Sequence, residues 1–457
     1  ESFSYYKGLK NSGFWAFLSI CFLPILLIAI FSELSFDETY YWIYSQYLAF
    51  GYFDHPPMVG LMIKLGTMLF GHSEFGVRSF SLLMFLGTVA ILRSLTNSNN
   101  FDKGFWFLLL VFPLLNLGGV FALPDSCLMF FSALYFYTIK KYLEQDDLKS
   151  MLMVGVSIAC MFYSKYHGLL IVILTVAAIP TLFKRKSFYQ VILVVLVLYF
   201  PHIYWQYQND FVSFKFHLFG RAEKHFEVGN ILDFLGGQFI LMGGPLFFYS
   251  ILKFKTFNKA DMFTRVLLAN SFGFLLFLFL LSFRNQIEAN WSLSCAIAFF
   301  ILISKLLEGR LVLLLKLSSV NILLNILIKL LLIFIPYFAS LNIKDNRLNE
   351  IYGWKNIRIP EINKLCEGLT IIGDNYQVTS KVAFYNIKPE IPALHFGSRE
   401  SHYSLLQLES GIPLDASICY LTSKNLENSV KIETGYKDPV YVLKNLSFLE
   451  LINSFKI

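Results

Sequence analysis

Charge is what this sequence holds least of. Asp, Glu, Lys and Arg make up 15% of its 457 residues, where soluble domains carry roughly 25%. Apolar residues reach 56%, with 49 Phe and 25 Tyr, which excludes a string of ordinary water-soluble domains and leaves a polytopic membrane protein. Cysteine is sparse too. The six stand at 21, 127, 160, 295, 366 and 419, with no CxxC and no close pair, so a zinc or thiol-redox motif has no support. No repeat of fixed period is visible. The net charge of +7 does not mark a nucleic-acid binder. The basic residues sit in short loops between apolar runs, where positive-inside sorting accounts for them.

Long apolar runs are abundant. Eleven stretches fall at about 14–31, 79–95, 104–122, 126–142, 150–164, 168–183, 188–205, 236–252, 266–282, 291–307 and 319–340. They approach or reach the roughly 20 residues needed to cross a bilayer, and the fifth is the short one. The first exceeds a signal-peptide core and lacks an A-x-A-like exit, so it reads as a retained anchor. With the amino terminus inside, the inner segments hold seventeen Lys and Arg, among them Lys140, Lys141, Lys184, Arg185 and Lys186. The outer short loops hold seven: Lys64, Arg78, Lys165, Lys215, Arg221, Lys224 and Arg284. That bias predicts N-in and, with an odd number of spans, C-out.

After Ser340 charge rises and short β-rich runs appear at Leu369–Gly373, Ile391–Phe396, Ser417–Leu421 and Val440–Leu443, with a helix-like stretch at Tyr376–Tyr385. The expected architecture is a mainly α membrane domain over 1–341 with about eleven spans. Amphipathic juxtamembrane helices fill its first outer loop, and a small extracytoplasmic α/β domain follows over 342–457. Cys366 and Cys419 both fall in that domain and can pair if it lies outside, although spacing alone does not fix their geometry.

Carboxylates beside a membrane need a wet cavity or a ligand, because desolvating them costs several kcal/mol. Ser35-Phe36-Asp37-Glu38 fits a capping box, with Glu38 reaching back to its cap and Asp37 complementing the helix dipole. Asp37, Tyr40, Tyr41 and Tyr44 then share one helical face. Held ionised by the helix terminus, Asp37 can take a proton from an attacking hydroxyl or steady a developing positive charge. Phe53-Asp54-His55-Pro56-Pro57 leads into a second amphipathic helix, Met58 to Phe70, and its prolines fix a turn. Asp54 there either caps that helix or displays a carboxylate beside His55. Asp125 follows Pro124 in a short turn between spans, as an N-cap or an active carboxylate. Lys165 sits in the outer turn Ser164-Lys165-Tyr166-His167, explained by snorkelling or by a phosphate contact. His217 and Arg221 lie four apart in the longest outer loop. Arg284, Glu288 and Trp291 mark another outer boundary, where Trp291 fits an aromatic belt.

Asp37-Glu38-x-Tyr40-Tyr41-Trp42, the run from Gly51 to Pro57, the Pro124-Asp125 turn and Ser164-Lys165-Tyr166 together resemble bacterial GT-C glycosyltransferases. The kinds most similar are protein mannosyltransferase-like enzymes and lipid A aminoarabinose transferases. Trp205 to Arg221, Glu288-Ala289-Asn290-Trp291, and Tyr376-Gln377 through Ala383-Phe384-Tyr385 extend the resemblance over nearly the whole chain. It implies transfer of a sugar from a polyprenyl (undecaprenyl) phosphate to an envelope lipid or glycan acceptor, such as lipid A. The enzyme would sit in the bacterial inner membrane among its lipids, with its site facing the periplasm. The resemblance makes Asp37 the catalytic carboxylate, with Asp125 and Glu38 as further acidic positions. Lys165 matches a phosphate-contacting lysine; Arg221 and Arg284, as cations on the same side, and His55 are further candidates for the donor phosphate, and Tyr40, Tyr41, Glu288 and Tyr376 for the substrate. Asp54 and His217 resemble positions that hold a divalent metal in aminoarabinose transferases. Those enzymes often carry Lys where His55 stands, and an imidazole is a weaker, pH-dependent phosphate partner.

Two other readings stay open at this point. A transporter or flippase also uses many spans, but it favours internal repeats and charges near mid-membrane, whereas here the charges gather at one face. Within the enzyme class, the acceptor is either a lipid or glycan, or a serine or threonine of a secreted protein.

Overall fold

The computed structural model describes residues 15, 17–96, 102–220, 226–338, 351–396, 398–432 and 440–455. Each of the eleven apolar stretches is mostly helical over its described residues, with breaks at Phe112, Ile179 and Met242–Gly244. Among these helices, five are long and apolar enough to cross a bilayer: Glu74–Leu95, Lys186–Gln208, Met262–Ser282, Ala289–Leu306 and Leu311–Phe334. Two bent pairs raise the number to seven if each counts as one span. Pro124–Gln145 is as long but carries Asp125, Lys140, Lys141 and Glu144, and Leu148–Ser164 and His167–Ala178 are shorter.

Three breaks shape the bundle. The helices Leu18–Phe31 and Phe36–Gln46 meet at 69°. Ser35 is extended and caps the second of them, so the chain leaves one helix and restarts in a new direction. Val228–Leu241 and Pro245–Leu252 meet at 91°, through Gly243 at φ +92° and Gly244 at φ +60°. Side chains rarely adopt that conformation, and Pro245 suits the first turn of the helix that follows.

The third break, at Pro113, stops the helix Asp102–Val111 and holds Phe112 extended. Its last carbonyls need donors, because the apolar surroundings supply none. Asn116 Nδ2 donates to Leu109 O at 2.7 Å and Phe112 O at 2.9 Å, and Asn325 Nδ2 donates to Leu110 O at 2.8 Å. Asn321, Asn325 and Lys329 recur every four residues and so share one face of Leu311–Phe338. Asn321 repairs the second break by donating to Ile240 O at 2.6 Å. Lys329 Nζ donates to Asn116 Oδ1 at 2.8 Å. This polar stripe thus satisfies backbone groups that two broken helices expose.

Beyond residue 351 the chain forms a four-stranded sheet ordered β1-β2-β4-β3. The strands are β1 (Thr370–Gly373), β2 (Ser417–Thr422), β3 (Val430–Ile432) and β4 (Val440–Ser447). β1 runs parallel to β2, and β4 is antiparallel to both β2 and β3. One expectation needs correcting. Ile391–Phe396 is not a strand, and only Ala393 bridges to Gly373; Pro392 has no N–H to continue a ladder. β3 fills the fourth place instead. A disulfide joins Cys366, which ends the helix Ile359–Leu365, to Cys419 in β2. The expected boundary at 341/342 lies outside the described residues.

The sheet region does not stand apart from the membrane helices. Its helix Tyr376–Asn386 packs on Phe36–Gln46. Leu34, Trp42 and Ile43 share one hydrophobic core with Trp354, Val382 and Phe384. The Trp42 and Phe384 rings meet edge to face at 5.3 Å.

Candidate active site

The motif from Gly51 to Pro57 is held as a rigid rack. Three alternate carbonyls each receive a side chain from the following helices. His202 Nδ1 lies 2.6 Å from Phe50 O, Ser213 Oγ donates to Tyr52 O at 2.6 Å, and His217 Nε2 lies 2.7 Å from Asp54 O. Gly51 is required here: a Cβ would come within 2.3 Å of the Trp205 indole. Tyr52 N–H donates to His55 O at 3.1 Å, closing the turn before the prolines.

The rack presents Asp54, which is 4% exposed. Pro57, not Asp54, occupies the cap of Met58–Phe70. One Asp54 oxygen accepts from Tyr40 at 3.2 Å and from Tyr44, and the other accepts from Arg399 Nη2 at 3.2 Å. Burial pushes the Asp54 carboxyl up, but neighbouring His55, Arg399 and the Tyr44 hydroxyl outweigh it, so the carboxyl stays below its usual range. His55 is buried, with Tyr41 at 5.6 Å and His217 at 6.0 Å between ring centroids.

Glu38 is fully buried and completes the capping box with Ser35. Its two oxygens also meet Arg78 Nε and Nη2, both at 2.6 Å, and accept from Ala122 N–H at 3.1 Å. Asp37, one position earlier, is exposed in the first turn of the same helix. The Tyr41 phenol is pushed well up by burial, with the charges of Asp37, Asp54 and Asp125 adding to it. Burial, with the charge of Asp37 adding to it, pushes the Tyr376 phenol up to about 12. The Tyr40 ring lies 4.6 Å from that of Tyr376.

Asp125 sits in the first turn of Pro124–Gln145 and does not cap it. Lys165 Nζ donates to its two oxygens at 2.8 and 2.9 Å, and Asn290 Nδ2 donates at 2.8 Å. Lys165 is 4% exposed, which is pairing and not snorkelling. Lys165, His217 and Glu288 nevertheless line one cavity of about 840 Å³, together with His167, Trp291 and Arg399. Leu169 and Ile173 from His167–Ala178, with Phe277 and Leu281, add apolar side chains to the same lining. Arg284 is exposed next to the lining residues Asn285 and Gln286. Arg221 lies outside the described residues.

Asp54 and His217 do come together, but through the Asp54 carbonyl and not its carboxylate. The carboxylate already faces the Arg399 cation. Among the described residues, no group of three or more His, Cys, Asp and Glu is arranged to hold a metal. This arrangement does not fit a divalent cation, and no step below uses one.

Arg78 and Arg399 escape a local reading as site residues, because they meet their carboxylates across 40 and 345 positions. The Arg399 guanidinium lies over the Tyr376 ring at 4.6 Å and the Phe216 ring at 5.2 Å.

Residues 54–205 match the family model described as dolichyl-phosphate-mannose-protein mannosyltransferase. The lipid A galacturonosyltransferase RgtD of Rhizobium johnstonii is 24% identical over 228 residues, which is 47% of this chain and 48% of that protein. The chain thus spans about half the length of the curated relative it matches. In fold it superposes on the crystal structure of ArnT from Cupriavidus metallidurans in the apo state, with TM-score 0.67 and 11% identity over 94% of this chain and 98% of that one. ArnT bound to undecaprenyl phosphate gives TM-score 0.66 and 12% identity over 93% and 97%. The fold is therefore that of ArnT. The chain resembles the bacterial enzymes related to protein mannosyltransferases and lipid A aminoarabinose transferases.

Proposed function

We propose that this chain is an integral-membrane glycosyltransferase. It moves a sugar from a polyprenyl-phosphate donor to an envelope acceptor such as lipid A, on the periplasmic face of the bacterial inner membrane. One observation carries the reading: a single cavity whose lining joins apolar Leu169, Ile173, Phe277 and Leu281 to polar Lys165, His217 and Glu288. A polyprenyl phosphate likewise joins an apolar tail to an anionic head. The relative RgtD is a lipid A galacturonosyltransferase, and the ArnT of similar fold binds undecaprenyl phosphate. The Lys/Arg bias and the Cys366–Cys419 disulfide favour an outward-facing carboxyl-terminal region.

Transfer breaks the bond between the sugar's anomeric carbon and the phosphate oxygen. The electron pair leaves with the polyprenyl phosphate while positive charge builds on the ring. Asp37, exposed in the first turn of its helix, takes the proton of a hydroxyl acceptor as that oxygen bonds the anomeric carbon. Lys165 steadies the leaving phosphate, and Asp125 holds Lys165 at the cavity wall until the donor arrives. Glu38 keeps the Asp37 helix in place through Arg78.

A second reading, transfer to serine or threonine of a secreted protein, rests on the family model matched by residues 54–205. One experiment separates the two. Purified protein in nanodiscs is given radiolabelled polyprenyl-phosphate sugars with lipid A, with another envelope glycan, or with a serine-rich peptide. Label on lipid A or the glycan supports the first reading, label on the peptide the second. No transfer to any of the three, with the donor demonstrably bound, would refute both.

A further inference from the structure

The cavity's lining holds more cations than its chemistry has used. Lys165 is matched by both oxygens of Asp125 and is nearly closed to solvent. Arg399 differs on each count. Its side chain is 41% exposed, and it meets Asp54 through one nitrogen at 3.2 Å. A guanidinium carries five N–H donors in a plane. The hydrogen bonds to Asp54 and, at 3.4 Å, to Glu400 O use two of its nitrogens once each and leave donors directed elsewhere. The plane is fixed by stacking on Tyr376 and Phe216, so little side-chain entropy is left to lose on binding. Arg399 lines the same cavity as Lys165, His217 and Glu288, and it comes from the carboxyl-terminal region rather than from the membrane helices.

We propose that Arg399 is an anion-binding residue of this cavity, taking an oxyanion of the donor: its phosphate, or a carboxylate on its sugar. The inference rests on the functional reading above and deepens it, because it gives the carboxyl-terminal region a direct hold on the substrate. A planar fork suits either oxyanion. Tyr376 then acts as the surface that aligns the fork, and Asp54 as the partner that holds it while the cavity awaits its ligand.

The test measures binding, so it does not depend on turnover. Undecaprenyl phosphate without sugar is titrated into the full chain in nanodiscs. Two polyprenyl-phosphate sugars follow, one neutral and one a uronic acid. Losing a charge-assisted contact to a bound oxyanion weakens affinity about tenfold or more. If the phosphate is the anion, Arg399→Gln weakens all three ligands by that factor and Arg399→Lys recovers part of it. If the sugar carboxylate is the anion, only the uronic acid ligand is weakened. Because Arg399→Gln also leaves Asp54 without its partner, the double variant Arg399→Gln/Asp54→Asn is measured alongside and should show the same loss. Unchanged affinity for all three ligands in the double variant would overturn the inference while leaving the functional reading intact. Failure of the unaltered protein to bind any of the three would overturn the functional reading itself.

Discussion

Glu38 and Arg78, forty positions apart, form a fully buried two-point ion pair, each nitrogen 2.6 Å from its oxygen. Arg78 also donates to Ser32 O and Glu33 O, at 2.8 and 3.0 Å. It therefore pins the break from which the Asp37 helix starts. Removing one partner strands the other charge in an apolar interior, which costs about 3–5 kcal/mol. Glu38→Gln should lose stability on that scale in thermal melts, and Glu38→Gln/Arg78→Met should regain much of it. A Glu38→Gln protein as stable as the parent would contradict the pair.

Lys165 and Asp125 make the corresponding pair at the cavity. Residues that act as one unit lose activity non-additively. Lys165→Met and Asp125→Asn should each lower donor turnover, and their combination should lose little more than the worse single variant. Additive losses in log rate would mean that the two side chains act separately.

Lys381 lies fully buried in Tyr376–Asn386, donating to Leu34 O and facing the Phe36, Trp354 and Tyr385 rings at 5.6 to 5.9 Å. Burial pushes its ammonium down to about 7, against the pull of Glu33 and Glu38. Between that value and its ordinary 10.5, the unfolded chain binds the extra proton, so stability rises with pH across the window. The cost is fully present below pH 7 and is relieved toward pH 10.5. Lys381→Met should be more stable than the parent at pH 6, with the difference shrinking as pH rises to 10. Parallel melting curves at every pH would rule out a buried, titrating lysine.

The disulfide closes a loop of 53 residues, worth about 4 kcal/mol by the chain-entropy model. It calls for an oxidising compartment. Reporter fusions at Ser187 and Lys255 should read as cytoplasmic, and one at Asn375 as periplasmic. The Cys366–Cys419 pair should resist thiol alkylation in cells until a reductant is added. A cytoplasmic signal at Asn375 would place the site on the wrong face.

Much of this was legible because it is local. Ser35 and Glu38 are three residues apart, so the capping box could be read directly. The apolar runs gave the helices, although not where they break, because the Asn321, Asn325 and Lys329 stripe has meaning only beside Asn116 and the carbonyls it serves. The neighbourhood of Asp37, Asp54 and Asp125 followed from motifs at the same membrane face. What stayed hidden were partners distant in sequence. Arg78 reads as one more loop cation, and nothing local marks Arg399. Lys165 reads as a lone cation in its turn, because Asp125 pairs with it across forty positions. The apparent strand at Ile391–Phe396 had the right composition, but Pro392 removed a donor that a ladder needs.

The central claim is that Asp37 does the chemistry while its neighbour Glu38 holds the helix. Asp37→Asn keeps shape and hydrogen bonding but removes the charge, on an exposed side chain whose change leaves the Glu38–Arg78 pair untouched. The direct measurement is single-turnover transfer from a bound polyprenyl-phosphate sugar, with melting temperature and donor affinity recorded on the same preparation. The account predicts an unchanged melting temperature, donor binding within a few-fold of the parent, and a rate lower by about a hundredfold or more. A stable, donor-saturated Asp37→Asn protein turning over close to the parent rate would contradict it and move the role to Asp125 or Asp54.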